Sequence, residues 1–309
     1  MKGCHKSGEI KECFISGESG EMKRKIAEHP CFSPEAQHLF GRLHLPVAPS
    51  CNIQCNYCDR KFDCVNESRP GVTSEVLSPR DALRRTDEIL KQNPYIKVVG
   101  IAGPGDPLDN DETFETFRLI REKYPDVTFC VSTNGLLLAD RFSGLAEAGV
   151  ETLTVTMNAM DPDIQKQIIG EIYYKGKKYE GREAAEILIE NQLKGIQKAV
   201  EAGMTVKINT VLIPGINDKH IIELAKKMNE AGVYIMNIMP LISQAAFKDI
   251  APPTEQERKA VQDACAPYVK QMRHCRQCRS DAYGLLGKDL SVQRKERGRE
   301  IENDPKIQK

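Results

Sequence analysis

The chain has 309 residues, enough to bury the core of one large α/β domain or two ordinary ones. It carries 44 basic and 44 acidic side chains and no tryptophan, which removes any global electrostatic case for nucleic acid or anionic membrane and argues against base-stacking surfaces. No apolar run approaches the ~20 residues of a transmembrane helix, and MKGCHKSGEIKECF lacks the hydrophobic segment of a signal peptide, so a cytoplasmic protein is expected.

Residues 1–28 read as a polar leader without fixed structure, followed by a short extension over 29–42. LHLPVAP (43–49) then reads as a strand, and SPRDALRRTDEILKQN (78–93) as a helix with Ser78 as N-cap and Pro79 at its first position. KVVGIAG (97–103) is a second strand, followed by a helix near 112–123. VTFCVST (127–133), a helix near 138–148 and ETLTVTMN (151–158) continue the alternation. IIGEIYYKGKKYEG (168–181) has the pattern of a β-hairpin turning at Lys175-Gly176-Lys177. A helix over 182–202 places Ala185, Leu188, Ile189, Ile196, Ala199 and Val200 on one buried face. TVKINTVLIP (205–214), a helix near 218–231 and VYIMNIMP (233–240) complete six strands, each but the last followed by a helix. A second extension covers 241–287, and a charged tail, including KERGRE, runs over 288–309.

Near-continuous apolar strands joined by helices indicate a parallel sheet covered on both faces. Six units are too few for a closed eight-stranded barrel, so an open, partial (βα)6 barrel is expected over 43–240, with functional groups at the C-terminal strand ends.

Eleven cysteines are too many for incidental core residues in a reducing compartment, and their odd number disfavours a disulfide framework. Metal binding accounts better for their clustering. Cys51, Cys55 and Cys58 are spaced C-x3-C-x2-C on the loop after the first strand, and Cys64 stands six residues further on. Zinc sites usually pair C-x2-C with a second such pair, giving four ligands. Three thiolates suit three irons of a 4Fe–4S cube instead, leaving the fourth iron open for a small ligand.

This spacing, with Tyr57 before the last cysteine, resembles the radical S-adenosylmethionine (SAM) superfamily, whose fold is a partial βα barrel. In that superfamily a Gly-rich segment after the second strand contacts the amino end of SAM, a role implied here for Gly103, Pro104, Gly105 and Asp106. Ser132, Thr133 and Asn134, Thr156 and Asn158, and Asn209 lie at or in the next three strands, where polar side chains could bind the ribose and carboxylate of SAM. Helix capping or local Asx turns would explain the same residues.

HPCF, CNIQCNYC, ESRPGV, AGPGDP, STNGL, INTVLIPGIN and CRQCRSDAYGLLG together resemble the NifB family, the radical SAM enzymes of nitrogenase cofactor assembly. The resemblance runs from about residue 29 to 287. It implies a SAM-binding 4Fe–4S cluster and two additional 4Fe–4S substrate clusters, fused into an eight-iron core around a carbide drawn from a SAM methyl group. Cys31 and Cys130 with His29 would hold one substrate cluster, His38 or His44 being alternatives for the imidazole. Cys275 and Cys278, with Cys64 or Cys265, would hold the other. Glu67 is a candidate carboxylate ligand or proton acceptor, assisted by Cys64, though an ion pair with Arg69 explains it equally well. Cys4 and Cys13 have no partner at ligand spacing and read as dispensable.

The same resemblance implies scaffold or carrier proteins, cluster-delivery proteins and a ferredoxin or flavodoxin electron donor as partners of a monomeric catalytic domain. Many family members continue into a small C-terminal carrier domain, and by that resemblance this sequence is expected to be the catalytic domain alone. Rival readings are a radical SAM peptide maturase, which would spend more than the three cysteines found after the barrel, a non-catalytic iron–sulfur carrier, and a zinc-binding interaction module.

Overall fold

The computed structural model describes residues 20–66 and 71–290. Cys4 and Cys13, Glu67 and Arg69, most of the leader and most of the charged tail therefore lie outside the described residues.

A first helix, α1 (Gly20–Ala27), precedes β1 (Gly41–His44) and the three-residue β2 (Ile53–Cys55). Ser78 caps α2 (Pro79–Gln92), its hydroxyl accepting from the Asp81 N–H at 3.2 Å, with Pro79 at the first position, where its missing N–H costs nothing. β3 (Ile96–Ile101), α3 (Asp111–Lys123), β4 (Thr128–Thr133), α4 (Leu138–Glu147) and β5 (Val150–Thr156) follow. A short α5 (Pro162–Ile168), capped by Asp161, leads into the expected hairpin of β6 (Ile169–Tyr174) and β7 (Lys177–Glu180), which turns through positive φ at Lys175 and Gly176. α6 (Gly181–Glu201), β8 (Thr205–Leu212), α7 (Ile221–Glu230), β9 (Ile235–Pro240), α8 (Glu255–Cys265) and β10 (Tyr283–Gly284) complete the chain.

The main sheet has the order β10-β1-β3-β4-β5-β8-β9, parallel throughout except for β10. Its six parallel strands are the six read from the sequence, and they form the expected partial (βα)6 barrel. Strand residues alternate between the faces. Leu43, Val99, Phe129, Val131, Leu153, Val155, Ile208 and Met236 join the hydrophobic cluster shared with the helices, where Phe117 stacks on Phe129 at 4.5 Å. The other parity is polar: Arg42 and His44, Cys130 and Ser132, Thr154, Lys207 and Asn209, and Asn237 line the interior. A barrel whose inner face is polar is built to hold something.

The two ends of the chain finish the vessel. Residues 20–27, read from sequence as part of an unstructured leader, form α1. Its Lys25 pairs with Glu151 at 2.6 Å, and Ile26 and Phe32 pack with Ile235 and Met272. These contacts lie at the N-terminal ends of β5 and β9, so the N-terminal extension floors the barrel rather than covering its C-terminal mouth. The C-terminal extension runs beside β9, where Met236 N–H bonds the Lys270 carbonyl and Met272 N–H bonds that of Met236, each at 2.8 Å. It then crosses the open side and joins β1 antiparallel, Gly284 opposite Arg42. Arg42 fastens that end, donating to the Gly284 carbonyl at 2.7 Å and pairing with Asp289. Residues 270–284 thus form a strap across the gap, carrying Cys275 and Cys278.

Candidate active site

Above the strand ends, Cys51, Cys55, Cys58 and Cys64 line a cleft of about 1050 Å³ together with Gly105, Asp106, Ser132, Thr133, Asn134 and Thr156. The thiol-bearing loop is held by its carbonyls: Gln54 Nε2 donates to Cys55 O at 2.9 Å and Cys58 O at 2.8 Å, and Arg60 donates to Cys51 O at 3.1 Å and to Ile53 O. β2 within this loop pairs with β6, so the hairpin braces the loop from outside. Burial raises all three thiols, Cys51 to about 12 and Cys55 further, so they are protonated until a metal displaces the protons.

Among the described residues no three His, Cys, Asp or Glu side chains converge on a point that could hold one metal ion. A cube takes one thiolate per iron at separate corners, and the three loop thiols around one cleft fit that donor set.

The Gly-rich turn has a structural duty as well as its expected one. A Cβ on Gly105 would lie 2.1 Å from the Ser50 carbonyl oxygen, and the Gly105 N–H bonds the Ala48 carbonyl at 2.6 Å. Only glycine lets β3's loop close on the cluster loop. Asp106 is buried and accepts from Leu108 N–H (2.9 Å), Asn134 N–H (2.6 Å) and the Thr133 hydroxyl (2.9 Å). Asn134 in turn donates to Asn52 Oδ1 at 2.7 Å and lies 3.8 Å from the Cys51 sulfur. Burial pushes the Asp106 carboxyl up to about 6. Between an unfolded value near 3.9 and that one the folded state holds the extra proton. The cluster-less chain should therefore lose up to about 3 kcal/mol of stability as pH rises from ~4 to ~6. Asp106→Asn, measured by denaturation across that window, should flatten the loss.

Other expected SAM contacts are placed differently. Tyr57 and Asn158 bond each other at 2.9 Å beneath the loop, and Asn158 also accepts from Val211 N–H, so both brace the cleft without lining it. Asn209 lines a second, deeper cavity of about 670 Å³ inside the barrel, accepting from Asn237 Nδ2 at 3.1 Å.

That lower cavity gathers His29, Cys31, Cys130, Cys275 and Cys278, contributed by the N-terminal extension, β4 and the strap. It meets the upper cleft at Asn66, Ala102 and Ser132, which line both. Burial raises Cys31 to about 11 and Cys278 to about 12. Two cations sequence reading overlooked, Arg42 and Lys207, face the same space and lower both or one of these values. Their signal was present: charged residues inside otherwise apolar strands.

Both candidate imidazoles reach the cavity, and burial keeps each neutral, His29 well below the usual range and His44 at about 4. His44 Nδ1 lies 3.0 Å from the Arg279 carbonyl, to which it donates, leaving Nε2 with a lone pair. His29 Nδ1 accepts from Cys31 N–H at 3.1 Å, which places its proton on a buried Nε2 without a partner among the described residues. His38 is exposed and takes no part.

Cys64 lies in the upper cleft, its N–H on the Pro104 carbonyl at 2.8 Å, and not beside Cys275 and Cys278. Asp63 next to it accepts from the Ser74 N–H and the Ser280 hydroxyl, tying this loop to the strap. Cys265 is corrected outright: it is fully buried in the helix-side core, its sulfur 3.8 Å from the Ile221 carbonyl, and lines neither cavity. Cys265→Ala should cost about 1 kcal/mol of stability by chemical denaturation and leave the iron content unchanged.

Residues 45–228 match the Radical SAM superfamily. The chain is 49% identical over 269 residues to the FeMo cofactor biosynthesis protein NifB of Chlorobaculum tepidum and 48% identical over 276 residues to that of Klebsiella pneumoniae. These alignments cover 86% and 87% of the chain but only 63% and 59% of the relatives' own length. In fold it is similar to Streptococcus suis SuiB bound to S-adenosylmethionine, with a TM-score of 0.55 at 16% identity, over 77% of this chain and 52% of SuiB.

Proposed function

The chain belongs to the radical SAM superfamily, and from that premise we propose that it builds the carbide-containing, eight-iron precursor of the nitrogenase cofactor from two 4Fe–4S substrate clusters. The observation that carries this reading is the thiol-lined lower cavity lying directly against the upper cleft, the two sharing Asn66, Ala102 and Ser132 in their linings. Cys51, Cys55 and Cys58 would hold a resident cube, which when bound would offer an open iron to SAM and an electron for its reductive cleavage.

The chain's own residues set the geometry. Cys31 and Cys130 with His44 or His29 hold one substrate cluster, and Cys275 and Cys278 hold the other. His44 in this conformation presents a lone pair for iron, whereas His29 presents an N–H suited to a cluster sulfide. One SAM methyl passes to a sulfide in the lower cavity: a sulfur lone pair forms the new S–C bond as the sulfonium C–S bond breaks, releasing S-adenosylhomocysteine. Cleavage of a second SAM by one electron from the donor would release methionine, and the adenosyl 5′ carbon would take one hydrogen atom from that methyl to give 5′-deoxyadenosine. We assign acceptance of the remaining protons to Cys64, which lines the upper cleft, with Glu67, outside the described residues, as the carboxylate candidate. Arg42 and Lys207 offset the negative charge of the cargo. Scaffold or carrier proteins of cofactor assembly would take the product, with a ferredoxin or flavodoxin as electron donor.

Anaerobic reconstitution tests the proposal. The expected result is iron for three cubes, with both S-adenosylhomocysteine and 5′-deoxyadenosine formed on adding SAM. A chain that saturates with iron for one cube and makes no S-adenosylhomocysteine rules it out.

A further inference from the structure

The lower cavity shares part of its wall with the protein surface away from the upper cleft. Five of its lining residues, Asn237, Met239, Cys275, Arg276 and Gln277, also line a separate surface opening, bounded on the far side by Pro240, Pro253, Glu255 and Arg258. This opening lies between the C-terminal end of β9, the start of α8 and the strap. It shares no residue with the upper cleft. We infer that the iron–sulfur cargo enters and leaves through this lateral opening, while SAM uses the upper cleft. The inference rests on the cluster-building reading above.

Three observations support it. A cube and SAM would together occupy the upper cleft, so cargo arriving by that route would have to pass the resident group and the shared wall at Asn66, Ala102 and Ser132. Cys275 is half-buried and lies where the lateral opening meets the lower cavity, so it is the first thiol that incoming cargo meets. The rim also has the right charge. Thiolate-ligated cubes are anions, and Arg258 and Arg276 face this opening against one carboxylate, Glu255. Among the described residues neither guanidinium is in a salt bridge, so both charges are available for steering. Transfer is a ligand exchange without net electron flow: a protein thiol replaces a small thiolate on iron and passes its proton to the departing sulfur.

The test is uptake of a synthetic 4Fe–4S cluster carrying small thiolate ligands, followed anaerobically in the full chain with the Cys51/Cys55/Cys58 cube already in place. For the pair Arg258→Glu and Arg276→Glu, uptake into the remaining sites should slow about tenfold at low ionic strength and recover toward the wild-type rate in high salt. SAM affinity, measured by calorimetry, should stay within about twofold, because electrostatic effects on the cleft are screened over that distance. The milder pair Arg258→Gln and Arg276→Gln should fall between. Lys61→Glu, an exposed residue of the upper loop, should leave uptake unchanged. Equal uptake by the charge-reversed pair and wild type, or equal slowing by Lys61→Glu, overturns the lateral route. A wild-type chain that takes up no cluster beyond the first instead overturns the cluster-building function.

Discussion

Gly105→Ala is expected to abolish retention of the SAM-binding cube and, with it, all cleavage of SAM. The added methyl would lie 2.1 Å from the Ser50 carbonyl oxygen, 2.6 Å from its carbon and 2.8 Å from the Pro49 carbonyl oxygen. All three are backbone atoms, so no side-chain rotation relieves the contact. The segment next to Cys51 has to move, and it is the segment that Gly105 and Asp106 hold through bonds to the Ala48 and Ser50 carbonyls. Overpacking of this kind costs about 3 kcal/mol, at the upper end of its usual range. The chain should still fold, because the barrel core behind the turn is untouched. Gly103→Ala is the control: a Cβ there meets its nearest neighbours at 3.6 Å or more, an ordinary contact, and should leave iron binding intact. Iron analysis after reconstitution, with thermal melts, checks the pair. Normal iron content in Gly105→Ala would show that the cluster loop does not depend on this approach.

Cys31→Ala, Cys130→Ala and Cys278→Ala should each reduce formation of the fused product to background while sparing the SAM-binding cube. The three sulfurs line a cavity that none of the loop thiols enters. Each alanine removes a soft ligand from a buried space where water cannot replace it well. Electron paramagnetic resonance gives the finer readout. Cys31 and Cys130 belong to one proposed ligand set, so their variants should lose the same cluster signal, and Cys278→Ala should lose the other. Wild-type yields of S-adenosylhomocysteine and product from all three variants would place the substrate clusters elsewhere.

The barrel was readable because its strands are rich in apolar and β-branched residues and its helices carry single buried stripes. What escaped lacked that pattern. In α8, EQERKAVQDAC buries only Gln262 and Cys265, so it has no stripe; its available signal was the capping box of Thr254 and Glu257. α5 announced itself only by Asp161-Pro162 at its start. β2 is three residues long and exists because β6 is there to pair with it. That Cys51, Cys55 and Cys58 line one cleft was legible from spacing, since three cysteines on one loop need no knowledge of the fold. The lower cavity was legible only in its cysteines. That Cys31 and Cys130 share a space with Cys275 depends on how far the strap crosses, which periodicity does not encode, and Cys265 was misjudged because a buried thiol and a ligand look alike in one dimension.

The strap has a consequence for how the molecule comes into being. A ribosome delivers it after all six parallel strands, so a nascent barrel first exists with one side missing. Whatever the interior is to hold can meet Cys31 and Cys130 before residues 270–284 swing across and Gly284 docks on Arg42. The segment that closes the open side of the sheet also carries Cys275 and Cys278 to the lower cavity, so neither sulfur reaches it until Gly284 has paired with Arg42.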